Sequence, residues 1–483
     1  MRGIRTALLF ATADKYLTAA LSLATTAVVS RFVFPHEFGI AVLGGATIAV
    51  AGALRELGSA AYIVQSPELT EDRLRTVFTV NLLITLTVAA ALTAGAPGIA
   101  ALLGQPGIAT YLHIATAGYL TGAIVFPLHG LLTREFAFRK LAAINLASAF
   151  VNSAVLIALA AAGFSFLSFA AAQAVSALAG MVLLLWVRPQ FAIFRPKLTA
   201  WRDVLSFSLF SGGSALLHRA SEYVALMILG LLLPPAALGL LRRASQISSF
   251  PERTILAGVS AVALPAFSEQ VRQKGDLAAS YVAAVARLTV LIWPGLGLMV
   301  LIAHPLIGLL LGPGWAEAAP LVQILAGALL LNFPPGINYP VIIATGATRI
   351  AFGLALVQVA TALPIVVVAA QFGLYAVAWS MFAIVGIGVA ASTVAVRMVV
   401  PFAWRVLGRE MLRSLGVSLI ALAIPLVVVA HAGGTAEMAW STALALVAAT
   451  GAAWLAGLRL LAHPAWDDVV RAAHAVARRL FPK

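Results

Sequence analysis

The sequence predicts an all-α polytopic membrane protein with about fourteen transmembrane helices. Of its 483 residues, 62% are hydrophobic and only 10% are charged, and the mean hydropathy is +1.02. A soluble domain carries roughly 25% charged residues, so this composition excludes a soluble enzyme, a disordered chain and a coiled coil. The 39 glycines and 23 prolines lie within the apolar stretches, where membrane helices tolerate them.

The candidate spans are the apolar stretches between charged or Gly/Pro-rich breaks, each close to the roughly 20 residues that a membrane helix needs. In order, they cover 6–30, 39–63, 76–99, 109–131, 141–163, 166–187, 204–233, 237–265, 281–303, 317–345, 350–370, 374–396, 411–431 and 439–461. The joints between them are too short to hold a soluble domain. The chain contains no cysteine, which excludes disulfides, cysteine metal ligands and a thiol nucleophile.

The basic residues predict the orientation of these spans. The formal net charge is +14, and the basic loop residues fall in every second loop and near both chain ends, whereas the opposite loops contain only Arg31. Basic loops stay in the cytoplasm, so we expect both termini there and an even number of spans. Because the positive charge follows the pattern of the spans, we expect no nucleic-acid partner. The tail after His463 has an apolar face at helical spacing and is expected on the inner leaflet. A solvated tail helix is the alternative.

Two pairs of short segments predict an internal repeat. Segment 30–39 between spans one and two matches segment 230–239 between spans seven and eight, because each has a proline followed after three residues by a glycine. Segment 126–138 after span four matches segment 339–352 after span ten. Both matches lie six spans apart, which predicts two parallel six-helix halves related by an axis along the membrane normal. The expected lobes are 1–203 and 204–400, followed by an appended helix pair and tail at 401–483.

Ionisable residues inside the predicted spans cluster in the first two spans of each half. These residues are Asp14, Lys15, Arg55, Glu56, His218, Arg219, Glu222, Arg242, Arg243, Glu252 and Arg253. Charges in lipid are costly, so they usually face a cavity or a partner. Structural salt bridges are one explanation, which fits Arg219 with Glu222 and Asp14 with Lys15 better than the other residues. The adjacent Arg242 and Arg243 have no acidic neighbour in sequence and favour an external anion instead.

The excess of cations over carboxylates predicts a cationic cavity between the halves and an anionic, phosphate-bearing substrate, since guanidinium groups bind phosphate oxygens in pairs. The residues expected to bind it are Arg55, Arg242, Arg243, Arg253, Lys15 and Arg219. Those expected to balance charge or to take up H⁺ or Na⁺ from an ion gradient are Asp14, Glu56, Glu222 and His218. No cofactor or metal is expected, and the phosphate-binding loop of ATP-driven proteins is absent from the sequence.

Several motifs resemble those of the polysaccharide flippases, the oligosaccharide-lipid branch of the multidrug/oligosaccharidyl-lipid/polysaccharide exporter superfamily. They are Arg55-Glu56-Leu57-Gly58, Arg219-Ala220-Ser221-Glu222 and the segments 31–39, 131–136, 263–268 and 309–315. The resemblance implies a flippase that turns undecaprenyl-diphosphate-linked oligosaccharide repeat units from the inner to the outer leaflet of the bacterial cytoplasmic membrane. It would do so by alternating access, for O-antigen, capsule or exopolysaccharide assembly.

The same resemblance implies roles for particular residues and partners. In related flippases, cations on the first, second and eighth helices matter for function, which here correspond to Lys15, Arg55 and either Arg253 or Arg243. A polysaccharide polymerase and a chain-length regulator are the expected protein partners. The rival functions are a multidrug exporter of the same fold, which the cationic interior disfavours, and a membrane-embedded glycan ligase or polymerase, which the short outer loops disfavour. A non-transporting scaffold would not need buried arginines. We therefore expect a transporter, and neither a scaffold nor an enzyme.

Overall fold

The helices follow the predicted apolar stretches closely. The computed structural model of the protein describes residues 2–55, 60–66, 68–199, 201–334, 336–431, 434–435 and 438–480. Side chains are described for all of these except residues 2–14, 60–61, 207–222, 257, 260–261, 472 and 475–480. Within this part of the chain the structure is all-α, which confirms the predicted fold class.

Ten helices lead up to the middle of the chain. They are α1 (Arg2–Val29), α2 (Pro35–Arg55), α3 (Ala60–Gln65), α4 (Glu71–Leu102), α5 (Gly107–Leu120), α6 (Gly122–Arg134), α7 (Phe138–Ala161), α8 (Leu167–Val187), α9 (Trp201–Leu232) and α10 (Pro235–Ser248). Ten more are described after them. They are α11 (Phe250–Arg272), α12 (Leu277–Leu301), α13 (Ala303–Leu310), α14 (Ala318–Leu329), α15 (Asn338–Ala344), α16 (Thr348–Ala370), α17 (Leu374–Val399), α18 (Trp404–His431), α19 (Trp440–Leu460) and α20 (Ala465–Leu480).

Nine of the described helices are long and apolar enough to cross a membrane, or ten if the bent pair α5 and α6 forms one span. The nine are α2, α4, α7, α8, α12, α16, α17, α18 and α19. The chain is therefore a multi-pass membrane protein. The count of about fourteen spans and the cytoplasmic position of both termini stay predictions.

Contacts divide the chain into two compact units, Met1–Arg242 and Arg243–Lys483, and the boundary falls inside α10. In the first unit, α7 packs along α1 and α8, and α9 packs against α2, α3 and α4. Its apolar core joins α3, α4, α6 and α8 around Ile63, Leu128 and Leu132. The predicted lobes 1–203, 204–400 and 401–483 rest on the sequence repeat and stay predictions.

The second unit is built around α12, which packs along α18. Its main core contains Val285 of α12, Val341 of α15 and Val396 of α17. The tail forms the amphipathic helix α20, as its apolar spacing predicts, and Trp466 of this helix packs against buried residues of α12, α18 and α19. In addition, Arg287 Nε donates to Asp468 Oδ2 at 2.6 Å. The described part of the tail is therefore docked on the second unit, and its position on a lipid surface stays a prediction.

Three of the predicted spans are each made of two helices. They are span four (α5 and α6, bent by 41°), span eight (α10 and α11) and span ten (α14 and α15). Proline explains the break in two of these spans, because it cannot continue a preceding helix. Pro251 is the second residue of α11, and Pro334, which follows a cis peptide bond from Phe333, lies between α14 and α15. Spans four and ten are one of the pairs that the predicted repeat makes equivalent, so a break recurs there at a six-span interval.

Candidate functional site

Arg55 lies at the end of α2 beside the bend between α5 and α6. Its Nη1 donates to the Tyr119 carbonyl oxygen at 3.1 Å, and its Cζ lies 4.8 Å from the ring centroids of both Tyr119 and Phe126. Aromatic faces attract a guanidinium cation, so two rings and a carbonyl hold a half-buried charge in place. A Cβ at Gly122 would overlap this guanidinium group, so glycine leaves the space that Arg55 occupies.

The bend exposes backbone groups that this arrangement uses. The last carbonyls of a helix have no partner within it, and Arg55 binds one of them at the end of α5. In return, the Tyr119 hydroxyl donates to the Ala51 carbonyl oxygen at 3.1 Å, one turn earlier on α2. The two helices are therefore joined at two successive points around the arginine.

Asn81 of α4 stabilises the other side of the same bend. Its side chain is fully buried, and its Nδ2 lies 3.3 Å from the carbonyl oxygens of both Gly122 and Ala123. Pro127, four residues after Ala123, has no N–H to offer that carbonyl. The asparagine therefore replaces a helical hydrogen bond that the proline removes.

Arg55 lines a cavity of about 520 Å³ within the first unit. Residues of α2, α5, α6, α7, α8 and α9 surround it. The polar and aromatic ones are Arg55, Tyr119, Thr121, Phe126, His129, Asn145, Ser148, Gln173, Ser176 and Tyr223. Small residues of α2, among them Gly45 and Gly52, leave room on one side. Polar groups that converge in an otherwise apolar bundle mark a site for a hydrophilic group.

The second unit buries one of the predicted cations and one carboxylate. Arg243 is only 4% exposed, its Cζ lies 5.4 Å from the Trp315 ring, and its Nη1 donates to Gln246 Oε1 at 3.1 Å. Glu252, at the start of α11, is also buried and accepts a hydrogen bond from Asn332. No cluster of three metal-ligating side chains exists in the part of the chain that the structure describes.

The other predicted site residues have different surroundings. Lys15 of α1 and Arg253 of α11 are exposed, and Arg242 is half-buried at the end of the first unit. Five further candidates lie outside the described residues, Glu56 entirely and the others by their side chains: Asp14, Glu56, His218, Arg219 and Glu222. The structure thus gives Arg55 and Arg243 separate aromatic surroundings, each within its own unit.

The uncharged half of the site is not predicted from charges within the spans. It contains Asn81, Asn145 and Gln173, whose side chains are neutral amides. An amide inside an apolar span is the signal that would have found them, since a buried amide also needs partners. The aromatic partners of Arg55 are distant in sequence, so only the fold brings them to it.

The sequence is similar to those of proteins that take part in polysaccharide biosynthesis. Residues 28–320 match the family described as polysaccharide biosynthesis protein. The succinoglycan biosynthesis transport protein ExoT of Rhizobium meliloti (strain 1021) is 25% identical over 352 residues, which are 71% of this chain and 69% of that protein. The lipopolysaccharide biosynthesis protein WzxC of Escherichia coli (strain K12) is 23% identical over 331 residues, which are 65% of this chain and 64% of that protein.

Two solved structures are similar in fold. The lipid II flippase MurJ in an inward closed conformation has a TM-score of 0.74 and 12% identity, over 96% of this chain and 100% of that chain. An inward-facing multidrug resistance MATE family transporter has a TM-score of 0.59 and 15% identity, over 81% of this chain and 96% of that chain. These relatives agree with the prediction of a transporter and not an enzyme. Because the family match covers more than half of the sequence, the chain belongs to the polysaccharide biosynthesis protein family of multi-pass membrane transporters, as its motifs indicated.

Proposed function

We propose that the protein is a flippase for undecaprenyl-diphosphate-linked oligosaccharide repeat units. It moves them from the inner to the outer leaflet of the bacterial cytoplasmic membrane by alternating access, for O-antigen, capsule or exopolysaccharide assembly. The observation that carries this proposal is the polar cavity beside Arg55 among helices apolar enough to cross a membrane. Family membership supports it, together with relatives named for succinoglycan transport and lipopolysaccharide biosynthesis.

The cavity suits the head group of such a lipid. The side-chain amides of Asn145 and Gln173 both donate and accept hydrogen bonds, as sugar hydroxyl groups require. The rings of Tyr119 and Phe126 offer apolar faces beside the Arg55 charge. Arginine forms paired hydrogen bonds with phosphate oxygens, so the diphosphate is assigned to Arg55 and Arg243, with Lys15, Arg219, Arg242 and Arg253 as further contacts.

We also propose that an ion gradient drives transport and that two other proteins receive the substrate. An H⁺ or Na⁺ gradient would drive the movement, with Asp14, Glu56, Glu222 and His218 as the charge-balancing groups from the sequence. A polysaccharide polymerase and a chain-length regulator would receive the repeat units on the outer side. A multidrug exporter of the same fold is the rival function, supported by the fold similarity to the MATE transporter. It would expel cations, which the buried arginines disfavour.

Deletion of the gene tests the proposal. We expect polyprenyl-diphosphate-linked oligosaccharides to accumulate in lipid extracts while surface polysaccharide is lost, and a plasmid copy to restore both. Purified protein in liposomes should then expose a labelled lipid-linked oligosaccharide to an enzyme added outside. Unchanged lipid intermediates and surface polymer, with new sensitivity to cationic drugs, would establish the multidrug exporter instead.

A further inference from the structure

Neighbouring helices hold the broken helix of each unit in equivalent ways. In the first unit, Arg55 of α2 and Asn81 of α4 bind carbonyl groups on either side of the bend between α5 and α6. In the second unit, Asn332 Nδ2, between α14 and α15, donates to Glu252 Oε1 of α11 at 2.6 Å. The Tyr281 hydroxyl of α12 donates to Asn338 Oδ1 of α15 at 2.9 Å. The helices that hold each break occupy equivalent places in the six-span repeat.

The charged group at the break differs between the two units. Arg55 keeps its charge at every pH that a protein meets, because a guanidinium is not deprotonated in proteins. Glu252 is a carboxylate, and proton binding removes its charge. The break in the first unit is therefore held by a fixed charge, and that in the second unit by a charge that a proton can neutralise.

The surroundings of Glu252 favour such a proton. Its side chain is 9% exposed, and the bond from Asn332 is its one recorded hydrogen bond, with no ion pair, in the described part of the chain. A buried carboxylate is costly to keep ionised, and the neighbouring Arg253, whose side chain is exposed, offsets only part of this cost. A proton from the aqueous phase would bind one carboxylate oxygen and remove that cost.

Among the described residues, Arg253 is the charged group with a recorded electrostatic interaction with this carboxylate. On α11 itself, Arg253 is the next residue, and its side chain is exposed. On α12, which packs against α11, Tyr281 bonds Asn338, and Arg287 pairs with Asp468. On α15, which also packs against α11, Tyr339 is exposed. Arg243 lies nine residues earlier in the chain and contacts Gln246 and Trp315.

The joint between α14 and α15 contacts the first part of α11. A change in the charge of Glu252 would therefore affect the joint. A Cβ at Gly336, whose φ is +65°, would lie 2.9 Å from Leu256 Cδ1, which places the joint between α14 and α15 in contact with α11. The Phe333 ring, next to Asn332, packs edge-on against Trp293 of α12, with ring centroids 6.3 Å apart. Movement of the joint would therefore change packing on two helices.

We propose that Glu252 is a proton-binding site that controls the break between α14 and α15. When the carboxylate is ionised, its hydrogen bond from Asn332 is charge-assisted and fastens the joint to α11. When it is protonated, that bond becomes an ordinary neutral one, roughly half as strong, and α15 is released to move against α11. The use of this site to couple a proton gradient to transport rests on the proposed function, whereas proton binding itself does not.

Infrared difference spectroscopy of the full chain in lipid nanodiscs tests proton binding without any substrate. As the pH is lowered, the wild type should develop the absorption of a protonated, buried carboxyl group. Glu252→Gln keeps the shape and the bond from Asn332 but cannot titrate, so it should lose this band. Glu269→Gln, on the exposed end of the same helix, should keep it. A band that persists in Glu252→Gln, or none in the wild type, would overturn the proposal.

Transport in liposomes tests the coupling. An imposed pH gradient should raise the wild-type rate of lipid-linked oligosaccharide flipping several-fold, and Glu269→Gln should respond equally. Glu252→Gln should flip at one rate with or without the gradient. A gradient response in Glu252→Gln, or stimulation by a sodium gradient alone, would overturn the coupling role while leaving the proposed function intact. A wild type that flips nothing would contradict the proposed function, and the infrared result would then decide on the proton site.

Discussion

Gly39 lies directly against the backbone of Pro235, so that a Cβ at position 39 would overlap the Pro235 carbonyl oxygen. The contact is reciprocal, because a Cβ at Gly239 would overlap the carbonyl oxygen of Pro35. These residues are the two copies of the proline and glycine motif that predicted the repeat. Within the first unit they pack on each other at the starts of α2 and α10, where the absence of a side chain lets the backbones touch.

Replacing these glycines should disturb transport more than folding. In Gly39→Ala and Gly239→Ala, the added methyl group must push the helix ends apart, and overpacking of this kind costs about 1–3 kcal/mol. We expect each variant to reach the membrane and to produce less surface polysaccharide. Gly98→Ala on α4, where a Cβ would meet open space, is the control. Wild-type polymer in both motif variants would show that the contact has no part in transport.

Arg55 should not tolerate lysine. An ammonium group keeps the charge but loses the planar fork and the stacking on two rings, and a hydrogen bond to a charged group is worth about 1.5–3 kcal/mol. We therefore expect Arg55→Lys and Arg55→Ala both to reduce flipping by roughly tenfold or more. The measurement is surface polysaccharide per amount of membrane protein.

An exposed arginine serves as the control for this pair. Arg409 of α18 is exposed, and no hydrogen bond or ion pair is recorded for its side chain in the described structure. Arg409→Ala should therefore behave as the wild type. Full activity of Arg55→Lys would mean that a point charge suffices there, and that the aromatic rings only pack around it.

Gly52 allows the cavity to be filled without disturbing its walls. It lines the cavity, and a Cβ at this position meets nothing within 4 Å. We expect Gly52→Leu to fold normally and to reduce flipping strongly, because its side chain would occupy the space for the head group. Gly98→Leu, equally open but on the exposed side of α4, should flip at the wild-type rate. Normal flipping by Gly52→Leu would place the substrate elsewhere.

The fold class was predictable because it depends on length and polarity, which a sequence states directly. Twenty apolar residues in a row specify a membrane helix wherever it packs. The break in span four is harder to predict, because the apolar stretch 109–131 continues through the end of α5 at Leu120. The bend there is stabilised by partners from other helices, such as Asn81 for the carbonyl that Pro127 leaves unpaired.

The site was predictable in its charges and not in its neighbours. A charge inside an apolar span stands out, and Arg55 and Arg243 both proved to be held by aromatic rings. Tyr119, Phe126 and Trp315 carry no such signal, because aromatic residues are common in membrane helices. Their role follows only from distances that the fold creates.

The docking of α20 should depend on pH through His463. This histidine lies between α19 and α20, outside the membrane spans, and its side chain is buried. Its Nδ1 accepts a hydrogen bond from the Ala465 N–H at 3.2 Å, and its Nε2 lies 3.1 Å from the Ser414 hydroxyl. Burial lowers its pKa below the usual 6.5; Glu410 opposes this shift, and Arg413 and Arg287 add to it. The neutral ring is thus the form that the folded tail holds.

The direction of this pH dependence follows from how readily His463 binds a proton in the docked and in the released tail. The released histidine binds a proton more readily than the docked one, so the docking energy is complete above about pH 6.5 and falls as the pH drops through the lower, folded value. Protonation of Nδ1 also removes the acceptor for Ala465. We expect the thermal midpoint of the detergent-solubilised protein to fall below about pH 6.5. In His463→Gln, which cannot titrate, this part of the fall should disappear, and an unchanged pH profile would exclude His463 as its cause.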